Sequence, residues 1–216
     1  MRITDDTRVS RFGPESIRDI SGGVFAFAMT LLILNLSVPT IPKTASEAQL
    51  AQALAALWPQ ILLYVVTVGL IGSYWIAHRL ILNFIKEVDR TFLWMNLFFL
   101  MCVALVPFAM GIVGAYPRHR VALATYAGLS IVTLLVMYTQ WRYATGRGGL
   151  IEPAPPEIAL PLARKILLQV FICLLSIAVS FFSPLVSLLI FLGMPVQAYW
   201  PNIGRPAVQA RTERRT

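Results

Sequence analysis

Residues 20–38 read ISGGVFAFAMTLLILNLSV, nineteen positions without a charged side chain. As a helix they rise about 28 Å at about 1.5 Å per residue, which nearly spans a hydrocarbon layer about 30 Å thick. Ser21, Gly22, Gly23, Thr30 and Asn35 are set among the large apolar side chains. A helix that only anchors a protein in lipid has no need of that mixture, whereas a helix that lines a pathway does. At about 100° per residue, Phe27, Leu31, Leu34 and Val38 fall on one stripe, flanked by Thr30 and Asn35. Such a stripe serves equally as a packing seam, with Thr30 bonded back to its own helix carbonyls. It also serves as the wall of a pore built from several copies. In that case apolar rings exclude water and threonine hydroxyls offer oxygen to a partly dehydrated cation.

The rest of the chain supports a membrane setting. Of 216 residues, 57% are hydrophobic and 13% charged, about half the charged fraction of a soluble domain. The charge deficit sits in blocks, which gives an all-α integral membrane protein rather than a soluble core. The first apolar run is too long for the h-region of a cleaved signal peptide. The expected spans are residues 20–38, 58–82, 92–115, 120–143, 166–182 and 185–200, forming one six-span membrane domain over 1–216. Residues 44–57, Ala-rich and mildly apolar, are expected to form a short interfacial helix. Residues 145–161, rich in Gly and Pro, are expected to form a loop. The tight turn at Ser183 and Pro184 predicts an antiparallel hairpin for the last two spans. Trp58, Trp75, Trp94, Trp141 and Trp200 fall near span ends, as an aromatic belt requires.

Lysine and arginine give the orientation. Arg2, Arg8, Arg11 and Arg18 precede the first span; Arg79, Lys86 and Arg90 follow the second; Arg142, Arg147, Arg164 and Lys165 follow the fourth; Arg205, Arg211, Arg214 and Arg215 follow the last. Only Lys43, Arg118 and Arg120 of the 18 cations lie on the other side. Both termini, with basic tails at 1–19 and 202–216, are therefore expected in the cytoplasm. The net charge of +8 is thus assigned to topology and to anionic lipid of the bilayer, not to nucleic acid.

No ionisable residue lies in the core of any span. Proton-driven transporters and intramembrane enzymes need an acid, a base or a metal ligand at depth. Cys102 and Cys173 lie in apolar segments and spell no metal or redox motif. Neither a phosphate-cradling glycine loop nor a Ser/His/Asp set is present, so the chain is read as no enzyme, with no cofactor and no bound metal. A TVGYG filter is also missing, so a potassium channel with a pore loop is excluded.

The first span, SGGVFAFAMTLLILNLSVP, resembles the first helix of the transmembrane protein 175 family of potassium channels, whose pattern is RxxxFSDGVFAIAITLLVL followed by an acidic residue. The segment from Tyr74 through Pro117 resembles that family's second and third helices, with Trp75, His78, Arg79, Asp89, Arg90, Trp94, Asn96, Pro107 and Phe108 as landmarks. The resemblance implies a six-helix subunit, a homotetramer, and a central pathway for permeant K+ lined by the first helix. Phe27 then falls at the hydrophobic constriction, usually Ile, with Leu31 and Leu34 at further apolar pore positions and Thr30 at a hydroxyl position linked to selectivity. Asn35, with Val38, falls at the outer mouth, where an acidic residue is common; its neutrality predicts weaker cation attraction. Ser16 stands where the motif has Arg, Ile20 where it has Phe and Gly22 where it has Asp. In the family that Arg and Asp tie the first helix to the next two. Ser21, Trp75, His78, Asn96, Arg18 and Asp19 are the residues expected to supply the tie here. The lost anchors and the bulk of Phe27 also suit an alternative, a non-conducting membrane scaffold or assembly protein on the same fold.

Overall fold

A computed structural model describes residues 14–146, 150, 156–183, 186, 187, 189 and 190. The described residues form an all-helical chain: α1 (Pro14–Leu31), α2 (Glu47–Ala55), α3 (Trp58–Phe84), α4 (Arg90–Ala115), α5 (Arg120–Thr145) and α6 (Pro156–Ser180). Among the described residues five helical segments are long and apolar enough to cross a membrane, and the second of them, Glu47–Phe84, takes in α2 together with α3. The expected sixth span at 185–200 lies almost wholly outside the described residues, as do most of both tails. Its first turn is visible: residues 186, 187, 189 and 190 are helical. There the Ser187 hydroxyl donates to the Ser176 carbonyl at 2.9 Å, with the two Oγ atoms 2.7 Å apart. That buried exchange holds the returning chain against α6.

The centre of the subunit is α4. Its buried positions Phe92, Asn96, Phe99, Val103, Val106, Met110 and Val113 recur at alternating steps of four and three, the spacing of a helix seam. α1 and α3 pack on one side of it and α5 on the other, with α6 outermost against α5. The opposite face of α4 carries Trp94, Leu97, Met101, Leu105 and Phe108, all exposed and apolar. A helix apolar on every side fits a bundle whose outside is hydrocarbon. Thr67 of α3 and Tyr126 of α5 join their hydroxyls at 3.0 Å inside the bundle, where backbone and side-chain polar groups have no water to fall back on.

Caps set the helix starts. The Asp89 carboxylate is extended ahead of α4 and accepts from the Phe92 N–H at 2.8 Å, and it also accepts from the Tyr143 hydroxyl of α5. Ser46 and Gln49 form a reciprocal capping box at the start of α2. No residue of α2 is buried in the subunit.

Three boundaries differ from the sequence reading. The first helix begins at Pro14, and its last turn, Leu32–Asn35, tightens to 3-10 geometry, so regular helix stops short of Val38. The expected loop at 145–161 is shorter, because α6 already starts at Pro156 and carries Pro161 inside it. Pro156 at the first position forfeits nothing, since that N–H has no helical partner, whereas Pro161 removes one intrahelical bond near the start. Trp141 belongs to the core instead of a belt: it is buried and meets Phe84 edge-on at 6.2 Å.

A candidate permeation face on the first helix

Two faces of α1 have opposite fates. Ile17, Ser21, Phe25, Ala28 and Leu32 are buried against α3 and α4. Gly23, Ala26, Phe27, Thr30, Ile33 and Leu34 are exposed. Phe27 keeps 64% of its surface, Leu34 74% and Val38 87%, large values for apolar groups on a helix packed against two others. The subunit therefore presents an apolar strip that it does not cover itself.

Thr30 lies at the middle of that strip, about 60° from Phe27 and about 40° from Leu34 on a helical wheel. Its hydroxyl donates to the Phe27 carbonyl at 2.8 Å. That bond uses the hydrogen and leaves the oxygen lone pairs available on the open face. The back-bonding expected of a packing residue is thus compatible with an oxygen offered to a cation. Leu31 is half-buried at the edge of the strip and shares its side chain between the open face and the packed one.

Asn35 is turned away from the strip. Its Nδ2 donates to the carbonyl of Pro107 in α4 at 3.1 Å. A Cβ placed on Gly111 would come within 2.6 Å of Asn35 Oδ1, so the missing side chain at 111 is what lets the amide sit down on α4. Asn35 fastens the C-terminal end of the first helix to α4 of its own subunit. The 3-10 turn that ends there delivers it.

At the other end, buried polar groups tie three helices. His78 Nε2 of α3 lies 2.8 Å from Asn96 Oδ1 of α4, and Asn96 Nδ2 reaches toward Ser21 Oγ of α1 at 3.5 Å. The His78 ring stacks on Phe99 at 4.8 Å and 14°, with Phe25 at 5.9 Å. Because the Asn96 carbonyl oxygen can only accept, His78 Nε2 carries the proton of that bond. Arg18 adds a separate tie: its Nη2 donates to the Leu82 carbonyl in the last turn of α3 at 2.8 Å. A cation there also meets the negative end of the helix dipole.

Two residues expected in this network are elsewhere. Trp75 is 40% exposed on the outside of α3, because the core stripe of α3 passes through Tyr74 and His78. Asp19 is exposed and makes no hydrogen bond or ion pair among the described residues; one residue from Arg18, it faces about 100° away. The partners that sequence reasoning missed are backbone carbonyls and a glycine, at Leu82, Pro107 and Gly111. Carbonyls carry no sequence signal, and the glycine alone could have pointed to a close approach. Among the described residues no three His, Cys, Asp or Glu side chains come together as metal ligands.

The family model described as "Endosomal/lysosomal potassium channel TMEM175" matches residues 17–107, the stretch that holds most of α1, the His78–Asn96–Ser21 tie and Pro107. A protein named as a potassium channel from Streptomyces collinus is 35% identical over 152 residues, covering 68% of this chain and 71% of that one. A potassium channel from Chamaesiphon minutus is 34% identical over 131 residues, covering 59% and 64% respectively. The crystal structure of a lysosomal potassium-selective channel TMEM175 homologue from Chamaesiphon minutus superposes with a TM-score of 0.73 at 28% identity, covering 86% of this chain and 95% of that one. With identity at this level spread over most of both chains and the same fold beneath it, the chain belongs to the TMEM175 family.

Proposed function

We propose that this protein is a potassium channel, a multi-pass membrane protein that passes K+ by passive electrodiffusion. Its relatives are named as potassium channels, and no enzymatic step is required of it. The observation that carries the reading within this chain is the uncovered strip of α1. Phe27, Thr30 and Leu34 lie on a face of α1 that stays open, opposite the face that Ile17, Ser21, Phe25, Ala28 and Leu32 bury against α3 and α4. An apolar strip with one hydroxyl step is well matched to copies of itself around an axis, where the apolar rings exclude water and the hydroxyl oxygens meet a cation.

In the full proposal four subunits assemble as a homotetramer with α1 at the axis, in the plasma membrane of a bacterium. Each subunit is one six-span domain, the sixth span following the turn at 181–183, with both termini in the cytoplasm. Phe27 and Leu34 form apolar constrictions that shed water when closed, with Leu31 contributing from the edge. Thr30 supplies the polar step between them, where its free lone pairs replace part of a cation's hydration. No cofactor is needed; K+ is the transient occupant. Four phenyl rings at Phe27 fill more space than four isoleucines, which favours a narrow ring.

The test is potassium efflux from liposomes holding the purified protein. Wild type is expected to conduct, and Phe27→Ala to conduct faster. No flux from either would remove the channel reading and leave a non-conducting scaffold on the same fold.

A further inference from the structure

We infer that Asp19 sets the electrostatic potential at the inner mouth of the pore and is a conductance-determining residue for cations leaving the cytoplasm. The inference rests on the proposal that the open face of α1 lines the pathway with its N-terminal end inside.

Asp19 lies eleven residues before Thr30, three helical turns and about 20° around the axis from it. It therefore continues the exposed line that runs through Gly23, Phe27 and Thr30. At about 1.5 Å per residue it is about 12 Å below Phe27 and about 16 Å below Thr30, too far to touch an ion in the constriction. Its carboxylate acts at a distance, through potential. Arg18, the adjacent cation, keeps its charge but carries it to the packed face, where Nη2 donates to the Leu82 carbonyl, about 100° around the helix from Asp19. Asp19 itself has no hydrogen bond or ion pair among the described residues. Glu15, one turn earlier and also exposed, adds charge of the same sign. Between Asp19 and Asn35 α1 carries no other charge.

Fourfold repetition about an axis converts one carboxylate into a ring at the cytoplasmic entrance. A low-dielectric entrance lined by one sign of charge raises the local concentration of counter-ions. With Asn35 neutral and turned onto α4, the subunit's α1 carries its acidic groups at the inner end only. Such asymmetry favours outward over inward K+ current when bulk K+ is scarce. The effect disappears with salt, because screening extends about 30 Å at 0.01 M and about 3 Å at 1 M.

Inside-out patches with symmetrical KCl test this. At about 0.01 M KCl, outward single-channel current through Asp19→Asn is expected to be about two- to threefold below wild type, and Asp19→Lys lower still. At about 1 M the three are expected to converge, with the potassium-to-sodium ratio unchanged throughout. Equal currents at low KCl in all three would overturn the inference, as would a deficit in Asp19→Asn that persists undiminished at about 1 M, which marks altered pore shape. A wild type that conducts while Asp19→Asn matches it removes this inference alone. A wild type that never conducts removes the channel reading and this inference together.

Discussion

His78 Nε2 and Asn96 Oδ1 are 2.8 Å apart in a site closed to solvent, where Asn96 Nδ2 also reaches toward Ser21 on the first helix. This chain has Ser16 and Gly22 where the family pattern has Arg and Asp, and it keeps the landmarks His78 and Asn96. The pair ties α3 to α4 directly and α1 to both. Polar pairs between membrane helices are worth about 0.6 kcal/mol on average and up to about 1.7. A double-mutant cycle of His78→Ala and Asn96→Ala, read by unfolding in detergent, is therefore expected to give a coupling of about 1 kcal/mol. Strict additivity would show that the contact contributes shape and no bond.

Asp89 performs two tasks with two oxygens, capping α4 through the Phe92 N–H and receiving the Tyr143 hydroxyl. Tyr143→Phe removes one partner and is expected to cost about 0.5–1.5 kcal/mol. Asp89→Ala removes both and is expected to cost more, about 2 kcal/mol with the cap included. Unfolding in detergent of both variants gives the ranking, and the reverse order would contradict this arrangement.

Gly111→Ala places a methyl where Asn35 Oδ1 now sits. The substitution is expected to dislodge Asn35 from the Pro107 carbonyl and to release the C-terminal end of the first helix. The loss in stability is about 1–2 kcal/mol, from overpacking and the broken bond. In an Asn35→Ala background the same change should cost little, since the obstacle is gone. Unfolding of the two single variants and the double measures this directly; full additivity would mean that the two residues are independent.

Leu31 and Leu34 are alike in sequence and unlike in place, the first half-buried and the second on the open strip. Potassium efflux is expected to rise at least about twofold in Leu34→Ala, as a dewetted ring widens. Leu31→Ala should change efflux less and stability more. An equal rise in both would put Leu31 fully in the pathway.

Thr30→Val keeps the shape and removes the hydroxyl. One lost oxygen contact worth about 0.5–1 kcal/mol lowers the potassium-to-sodium permeability ratio about two- to fivefold. Bi-ionic reversal potentials read the ratio, and an unchanged value would show that Thr30 is not the selective element.

Long apolar runs with turn residues between them made α3, α4 and α5 legible, because length and hydropathy are local properties. The open strip of α1 was legible as a stripe but not as open. Periodicity shows which residues share a face, while only the neighbouring helices decide which face is covered. The hold on Asn35 was not legible, because Pro107 and Gly111 lie more than seventy residues away. The same limit explains Asp19 and Trp75. Each sits near the expected network in sequence, but a rotation of about 100° per residue sends neighbours to different sides. Trp141 was read as a belt residue from its position near a span end; packing against Phe84 drew it inward.

The most direct test of the central claim is whether the open face of α1 meets the permeating ions. Cysteines introduced singly at Thr30 and Leu34, and at Phe171 on the exposed side of α6 as a control, can be challenged with a small charged thiol reagent during current recording. Both native cysteines, Cys102 and Cys173, are buried. Current through Thr30→Cys and Leu34→Cys is expected to be blocked, while Phe171→Cys and wild type stay unaffected. Conducting Thr30→Cys and Leu34→Cys channels that are indifferent to the reagent, with block at Phe171→Cys instead, would contradict a pathway lined by the first helix.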